Sequence, residues 1–333
     1  MPLKSYGALK GSAVDRRLAS GENGHFQIHV VDDATDYRVA VNVESALEPS
    51  ELEYLVVSDF THPLLADLAA LPVGWNPLPS RAGGVALDFI RGSLFDRSAM
   101  RTLPFAVPGP DNDLNEKLDH YVQRALGDEH ATVYAFGERW GPENGRKDKI
   151  SGFLPGNGVH DIHMNQANVG RFVDDDGVWQ DGALLLHFPA HDTTPEQWVA
   201  IFLKFQSQTW HTDDATGHQL PVDPGAAPDG SVRVVAALAN AADSPETEFV
   251  TLLNTTARTI DLDGWQLADR DRNTMRLAGR IAPGESLRLR LAPPVVLPNG
   301  GGVVTLLDAA GLRVDGAAYT AAQAREPGRT IVF

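Results

Sequence analysis

Apolar and polar positions alternate from early in the chain. In HFQIHVVDD, His25, Gln27 and His29 alternate with Phe26, Ile28 and Val30, the period of a half-buried strand. Tyr37–Val43 repeats the pattern, and a further apolar run spans Tyr54–Phe60. SYGALKGSAVDRRL precedes them, with glycine breaks at Gly7 and Gly11. So many strands this close together predict a twisted antiparallel sheet or partial barrel. His25, Gln27 and His29 share one face of it, either solvated or lining a cleft.

THPLLADLAALP predicts a short helix capped by Thr61. A longer helix is marked by Leu114, Leu118, Tyr121, Val122, Ala125 and Leu126 at helical spacing. Asp111 or Asp113 caps its start, and Gly127 marks its end. On its far side Asn112, Asn115 and Asp119 face either solvent or a pocket. ATVYAFGERWG predicts a buried strand over residues 132–136 that breaks into a polar cluster. GALLLHFP and EQWVAIFLKF predict two more strands. Beyond the Pro/Gly-rich QLPVDPGAAPDGS the pattern changes to short strands split by turns, as a β-sandwich requires. The expected architecture has two domains. Residues 1–222 form an α+β unit with a mostly antiparallel sheet or partial barrel. Residues 231–333 form an all-β, immunoglobulin-like sandwich.

Chemistry concentrates in Gly152–Gly170, GFLPGNGVHDIHMNQANVG. His160, Asp161, His163, Asn165, Gln166 and Asn168 crowd a glycine-rich segment, where polar side chains more often bind or react than pack. A carboxylate beside an imidazole fixes its tautomer and raises its basicity. Two histidines and a carboxylate also suit a divalent metal, although the spacing is no established zinc signature. Just past the predicted 132–136 strand, Arg139 can grip an anion, Glu138 can serve as acid, base or ligand, and Trp140 can wall a pocket. His187, in GALLLHFP, points towards the same region.

Composition narrows the partners. The 333 residues suffice for two domains, and 43% apolar content supplies a core. A net charge of −16 argues against general duplex nucleic-acid or acidic-membrane binding, while leaving room for a metal-bridged phosphate. There is no cysteine, so thiolate and disulfide chemistry are excluded. No apolar signal segment opens the sequence and no run reaches membrane-spanning length, so a cytoplasmic protein is expected.

Several motifs in order resemble the YukJ-like family, a bacterial domain of unknown function. They are MPLKSYGALKG, HFQIHVVDD, Tyr37–Ser45, LDFIRG with Asp96, PGPDNDLN with DHYVQRA, YAFGERWGPE, GFLPGNGVHDIHMNQ, GVWQDGALLLHFP and FQSQTWHTDD. Ala167 stands where the family pattern has glycine. EFVTLLNTTARTIDLDGWQLADRD and IAPGESLRL resemble a lamin-tail domain, with Glu248, Asn254, Leu262, Gly264, Trp265 and Asp269 in the pattern. That resemblance implies an immunoglobulin-like sandwich. It often accompanies nucleases, phosphoesterases and surface hydrolases, and so implies hydrolysis by association.

Together these readings lead to two expectations. One is a hydrolase of phosphoesters, with His160 or His163 as base or metal ligand, Asp161 as orienting carboxylate and Arg139 as anion clamp. The other is a non-enzymatic module that binds a small molecule, or a protein through its C-terminal sandwich. All eleven histidines lie at or before His218, so chemistry belongs to the first domain.

Overall fold

The computed structural model describes residues 6–20, 24–44, 50, 52–78, 94–95, 99–105, 107, 109–143, 145–148, 150–154, 156–160, 182–191, 194–205, 230–271, 273–309, 311 and 313–333. Strands β1 (Tyr6–Arg17), β2 (His25–Val31) and β3 (Asp36–Asn42) form an antiparallel meander. Their alternation is the one read from sequence: Phe26, Ile28, Val30, Val39 and Val41 point inward and are fully buried. Next come β4 (Leu52–Val57), α1 (Leu65–Ala69), β5 (Gly74–Pro77), β6 (Arg101–Thr102) and α2 (Asp113–Leu126). β7 (Thr132–Glu143), β8 (Gly156–His160), β9 (Gly182–Phe188) and β10 (Gln197–Phe205) complete this part.

These strands join in one sheet, in the order β5-β1-β2-β3-β8-β7-β9-β10-β4-β6. Because β1 also pairs with β7, the five strands β1, β2, β3, β8 and β7 close into a barrel. The β3–β8 pairing is parallel and the other barrel pairings are antiparallel. β1 serves several neighbours by dividing its length. Tyr6–Gly11 pairs with β7, Gly7–Lys10 also with β5, and Ser12–Arg17 with β2. Gly11 stands at the changeover, where any Cβ would run into the carbonyl oxygen of Val31. The sequence suggests breaks at Gly7 and Gly11, but the strand continues through both; glycine is there for closeness, not for a turn.

α2 closes the barrel's core. Leu114, Leu118 and Val122 are fully buried among the inward residues of the barrel. Its N-cap is Asn112 rather than either flanking aspartate: the side-chain oxygen accepts from Asn115 N at 3.1 Å. The Asn112 amide also donates to the carbonyls of Val43 at 2.5 Å and Val107 at 2.6 Å. Asn115 accepts from Ala19 N at 3.1 Å, and Asp119 pairs with Arg16 at 2.6 Å. The three polar residues thus fasten the helix to the barrel.

β7 belongs to two cores at once. Val133 and Ala135 point into the barrel, while Tyr134 and Phe136 pack outside it with Phe60, Leu64, Leu68 and Phe202. Burial pushes the Tyr134 hydroxyl up to about 12. A similar value, about 12, holds for Tyr54, through burial and its 2.6 Å donation to Asp113.

The C-terminal strands are β11 (Val232–Leu238), β12 (Phe249–Asn254), β13 (Ile260–Asp261), β14 (Gln266–Ala268) and β15 (Thr274–Arg276). They continue with β16 (Arg280–Ile281), β17 (Ser286–Arg290), β18 (Gly301–Leu307), β19 (Arg313–Thr320) and β20 (Ile331–Val332). They form the antiparallel sheets β17-β12-β11-β20 and β15-β14-β18-β19, with a β13–β16 ribbon. Val250, Leu252, Leu306 and Tyr319 meet between them with Trp265, a core residue as its pattern suggests. The arrangement is sandwich-like. Among the described residues no helix is long and apolar enough to cross a membrane.

Candidate functional site

Strand register decides which polar side chains can meet. Glu138 faces His160 across β7–β8, and His160 faces Ala40 across β8–β3. Ala40 in turn faces Gln27 across β3–β2. A second row runs Trp140, Gly158, Arg38, His29. Both rows lie on the outer surface of the barrel, because the residues between them (Arg139, Val159, Val39, Ile28) turn inward.

The centre of this face is a histidine pair. His25 Nε2 lies 3.1 Å from His160 Nε2, with the rings edge to face at 4.8 Å. At that distance one nitrogen donates and the other accepts, so the pair holds one proton between them. Small Ala40 leaves the room in which they meet. Beside them Gln27 is only 3% exposed, and its Oε1 has no hydrogen-bond partner among the described residues. Next to His25, Glu44 lays its carboxyl end against Gly24, and burial holds that carboxyl above its ordinary range.

The upper row is aromatic. A Cβ on Gly158 would fall inside the indole ring of Trp140, so the ring lies flat across the sheet there. The Arg38 guanidinium sits against that ring at 4.9 Å from its centre and is held by Asp148 at 3.1 Å. Phe153 stacks on His29 at 4.3 Å, and His29 Nε2 is 2.7 Å from Asp36.

The sequence-derived candidates divide accordingly. His160, Glu138 and Trp140 come together on the outer face. Arg139 does not join them: it turns to the inner side, its guanidinium 5.8 Å from the ring centres of both Tyr37 and Trp75. The reason is that β7 does not break after Phe136 but runs on to Glu143, so alternation continues through GERWG. His187 faces Thr132, six positions along β7 from Glu138, which is about 20 Å at strand spacing. It bonds Glu196 at 2.8 Å and stacks on Trp198 at 4.2 Å, a cluster of its own. Asp161, His163, Asn165, Gln166 and Asn168 lie outside the described residues. Among the described residues no group of three or more His, Asp or Glu is placed to hold a metal ion. Nothing in the sequence marks Phe153, and little marks Arg38. Arg38's cue was its place on the polar side of the Tyr37–Val43 alternation.

Comparison with known proteins fits this layout. The family model described as "Uncharacterized conserved protein (DUF2278)" matches residues 1–217. The chain belongs to the DUF2278 family. One DUF2278 relative, uncharacterized protein YukJ of Bacillus subtilis (strain 168), is 42% identical over 218 residues, covering 64% of this chain and 93% of the relative. The lamin tail domain model matches residues 226–321, beyond the DUF2278 part. Both resemblances seen in the motifs are therefore shown, and every element of the barrel and its outer face lies within the DUF2278 match.

Proposed function

We propose that the outer face of β2, β3, β8 and β7 binds a polar small molecule and that the first domain works by holding it. The convergence of His25, Gln27 and His160 beside the flat Trp140 carries this reading. A buried amide oxygen lacking a partner is costly unless something supplies a donor. Phosphoester recognition has less behind it. Arg139 is turned away, and Arg38 already has Asp148 as its counter-ion.

One observation favours hydrolysis as a second reading. Nitrogens 3.1 Å apart suit a shared proton, but they also suit two ligands of one tetrahedral cation, which stand about 3.3 Å apart. Either arrangement would serve acid–base or metal-assisted attack by water.

The test is thermal. A library of polar metabolites should contain compounds that raise the melting midpoint of the wild type, since ligand at 100 times Kd adds about 2.7 kcal/mol. A His25→Ala/His160→Ala variant should show none of those shifts. Equal shifts in both proteins would place the ligand elsewhere and end this reading. Turnover of nitrophenyl phosphates with magnesium, manganese or zinc, lost in His160→Ala, would replace it with hydrolysis.

We further propose that residues 1–222 and 231–333 fold as separate units, the second offering the surface for a protein partner. The buried clusters support this, for each draws only on residues from one side of the linker. The Arg270–Asp67 ion pair does cross between the two parts, but a partly exposed pair contributes less than about 1 kcal/mol. Fragments 1–225 and 228–333, expressed apart, should each melt cooperatively. Loss of cooperativity in both would show interdependent cores.

A further inference from the structure

The barrel's topology narrows the ligand. In chain order its strands are β1, β2, β3, β7 and β8. In space they run first, second, third, fifth, fourth, and the fourth closes on the first. The third and fifth are parallel, and α2 comes between the third and fourth. This is the arrangement of the OB-fold, the Greek-key barrel whose second and third strands take oligonucleotides and oligosaccharides. The loops joining its first to second and fourth to fifth strands flank that face. Here the fourth-to-fifth connection does reach over it, through Phe153 on His29 and Asp148 on Arg38. The histidine pair lies on the second and fifth strands, at the same face.

Charge separates the two polymer classes. Residues 231–333 carry eleven Arg, no Lys and eleven Asp or Glu, so the whole net charge of −16 sits in the first 230 residues. Arg38 on this face is neutralised by Asp148, which leaves the exposed Arg146 and Lys147 of the fourth-to-fifth connection as cations against that acidic excess. A phosphate backbone needs unpaired cations to displace its counter-ions, and a neutral glycan does not. What the face offers instead is a flat indole plate, the uncharged amide of Gln27, the His25–His160 pair and the carboxylate of Glu138, which a phosphate backbone would meet with like charge. Gln27 stands among them with a buried carbonyl oxygen that has no partner among the described residues and can accept from a hydroxyl.

We infer that this face binds a neutral oligosaccharide, with a sugar ring on the Trp140 indole and hydroxyls bonded to Gln27, His25 and His160. The inference rests on the ligand-binding reading above and adds the ligand's class. Titration calorimetry of the full chain against neutral hexaoses of β-linked glucose, N-acetylglucosamine and xylose, and of α-linked glucose, tests it. A dT oligonucleotide serves as the comparison, each at about 50 and 200 mM salt. At least one hexaose should bind with an affinity that salt leaves unchanged. Trp140→Ala and Gln27→Leu should each weaken it about tenfold or more, while Trp140→Phe keeps most of it. Circular-dichroism melts show whether each variant is folded; if Trp140→Ala is not, Gln27→Leu decides. The inference is overturned if no hexaose binds, or if binding ignores the Trp140 and Gln27 changes. It is also overturned if dT binds instead, with an affinity that drops steeply with salt. Should hexaoses fail while metabolite shifts still depend on His25 and His160, the site stands and only the ligand class is wrong.

Discussion

Asn112→Ala is expected to lower the stability of the barrel by about 3 kcal/mol. Removing the cap costs about 1 kcal/mol, the buried Val43 carbonyl loses its donor at about 1 kcal/mol or more, and the part-buried Val107 carbonyl loses its donor at about 1 kcal/mol or less. For a domain of this size that is a fall of roughly 6–12 °C in melting midpoint. Asn112→Asp separates the two causes. Aspartate caps as well as asparagine but donates nothing, and it would set a carboxylate against two carbonyl oxygens. If capping alone mattered, Asp would be harmless; the structure requires it to be at least as damaging as Ala. Urea melts of the three proteins measure this directly. A loss below about 1 kcal/mol in both variants would mean that the helix is held by its apolar face alone.

Gly11→Ala should cost about as much for a different reason. The added methyl would overlap a backbone oxygen, that of Val31, and the Val30 side chain lies beside it. Backbone paired on both sides cannot step aside as a side-chain tip can, so strain at or above the usual ~1–3 kcal/mol of overpacking is expected. Gly300→Ala is the matched control, because open space surrounds that position. It should melt within about 0.5 kcal/mol of wild type, as surface changes do. If Gly11→Ala melts like Gly300→Ala, β1 is not drawn tight against β2 at that point and the account of barrel closure is wrong.

What the sequence revealed and what it hid follow from the range of the contacts. HFQIHVVDD declared its two faces by alternation alone, and the helix at 113–126 was legible from its apolar spacing. Closure was not, because β1 meets β7 across more than a hundred residues and no local pattern encodes a distant edge. Charges that interrupt an apolar run make GERWG read as a break after the strand at 132–136. Yet the period of two persists through it: Glu138 and Trp140 face out, and Arg139 faces in beside two aromatic rings. Choosing among Asp111, Asn112 and Asp113 as cap was beyond propensity, since Asn and Asp rank alike there. The Val43 and Val107 carbonyls, which need a donor that aspartate lacks, made the choice. His160's partner was equally hidden, for His25 is distant in sequence and reaches it across the width of one alanine.

The closure of the barrel by its first strand also sets an order of events during synthesis. β1, β2 and β3 leave the ribosome early, but β7, which seals β1, follows about ninety residues after β3 ends, roughly 5–20 s at ordinary elongation rates. Throughout that interval the nascent meander exposes the unpaired edge of β1 and the free side of β3 to every other chain nearby. Gly7 and Gly11 are poor templates for intermolecular pairing, and Lys10 between them puts a charge on the waiting edge. The glycines that let β1 lie close to its neighbours are thus the same ones that keep the unfinished barrel from recruiting other chains.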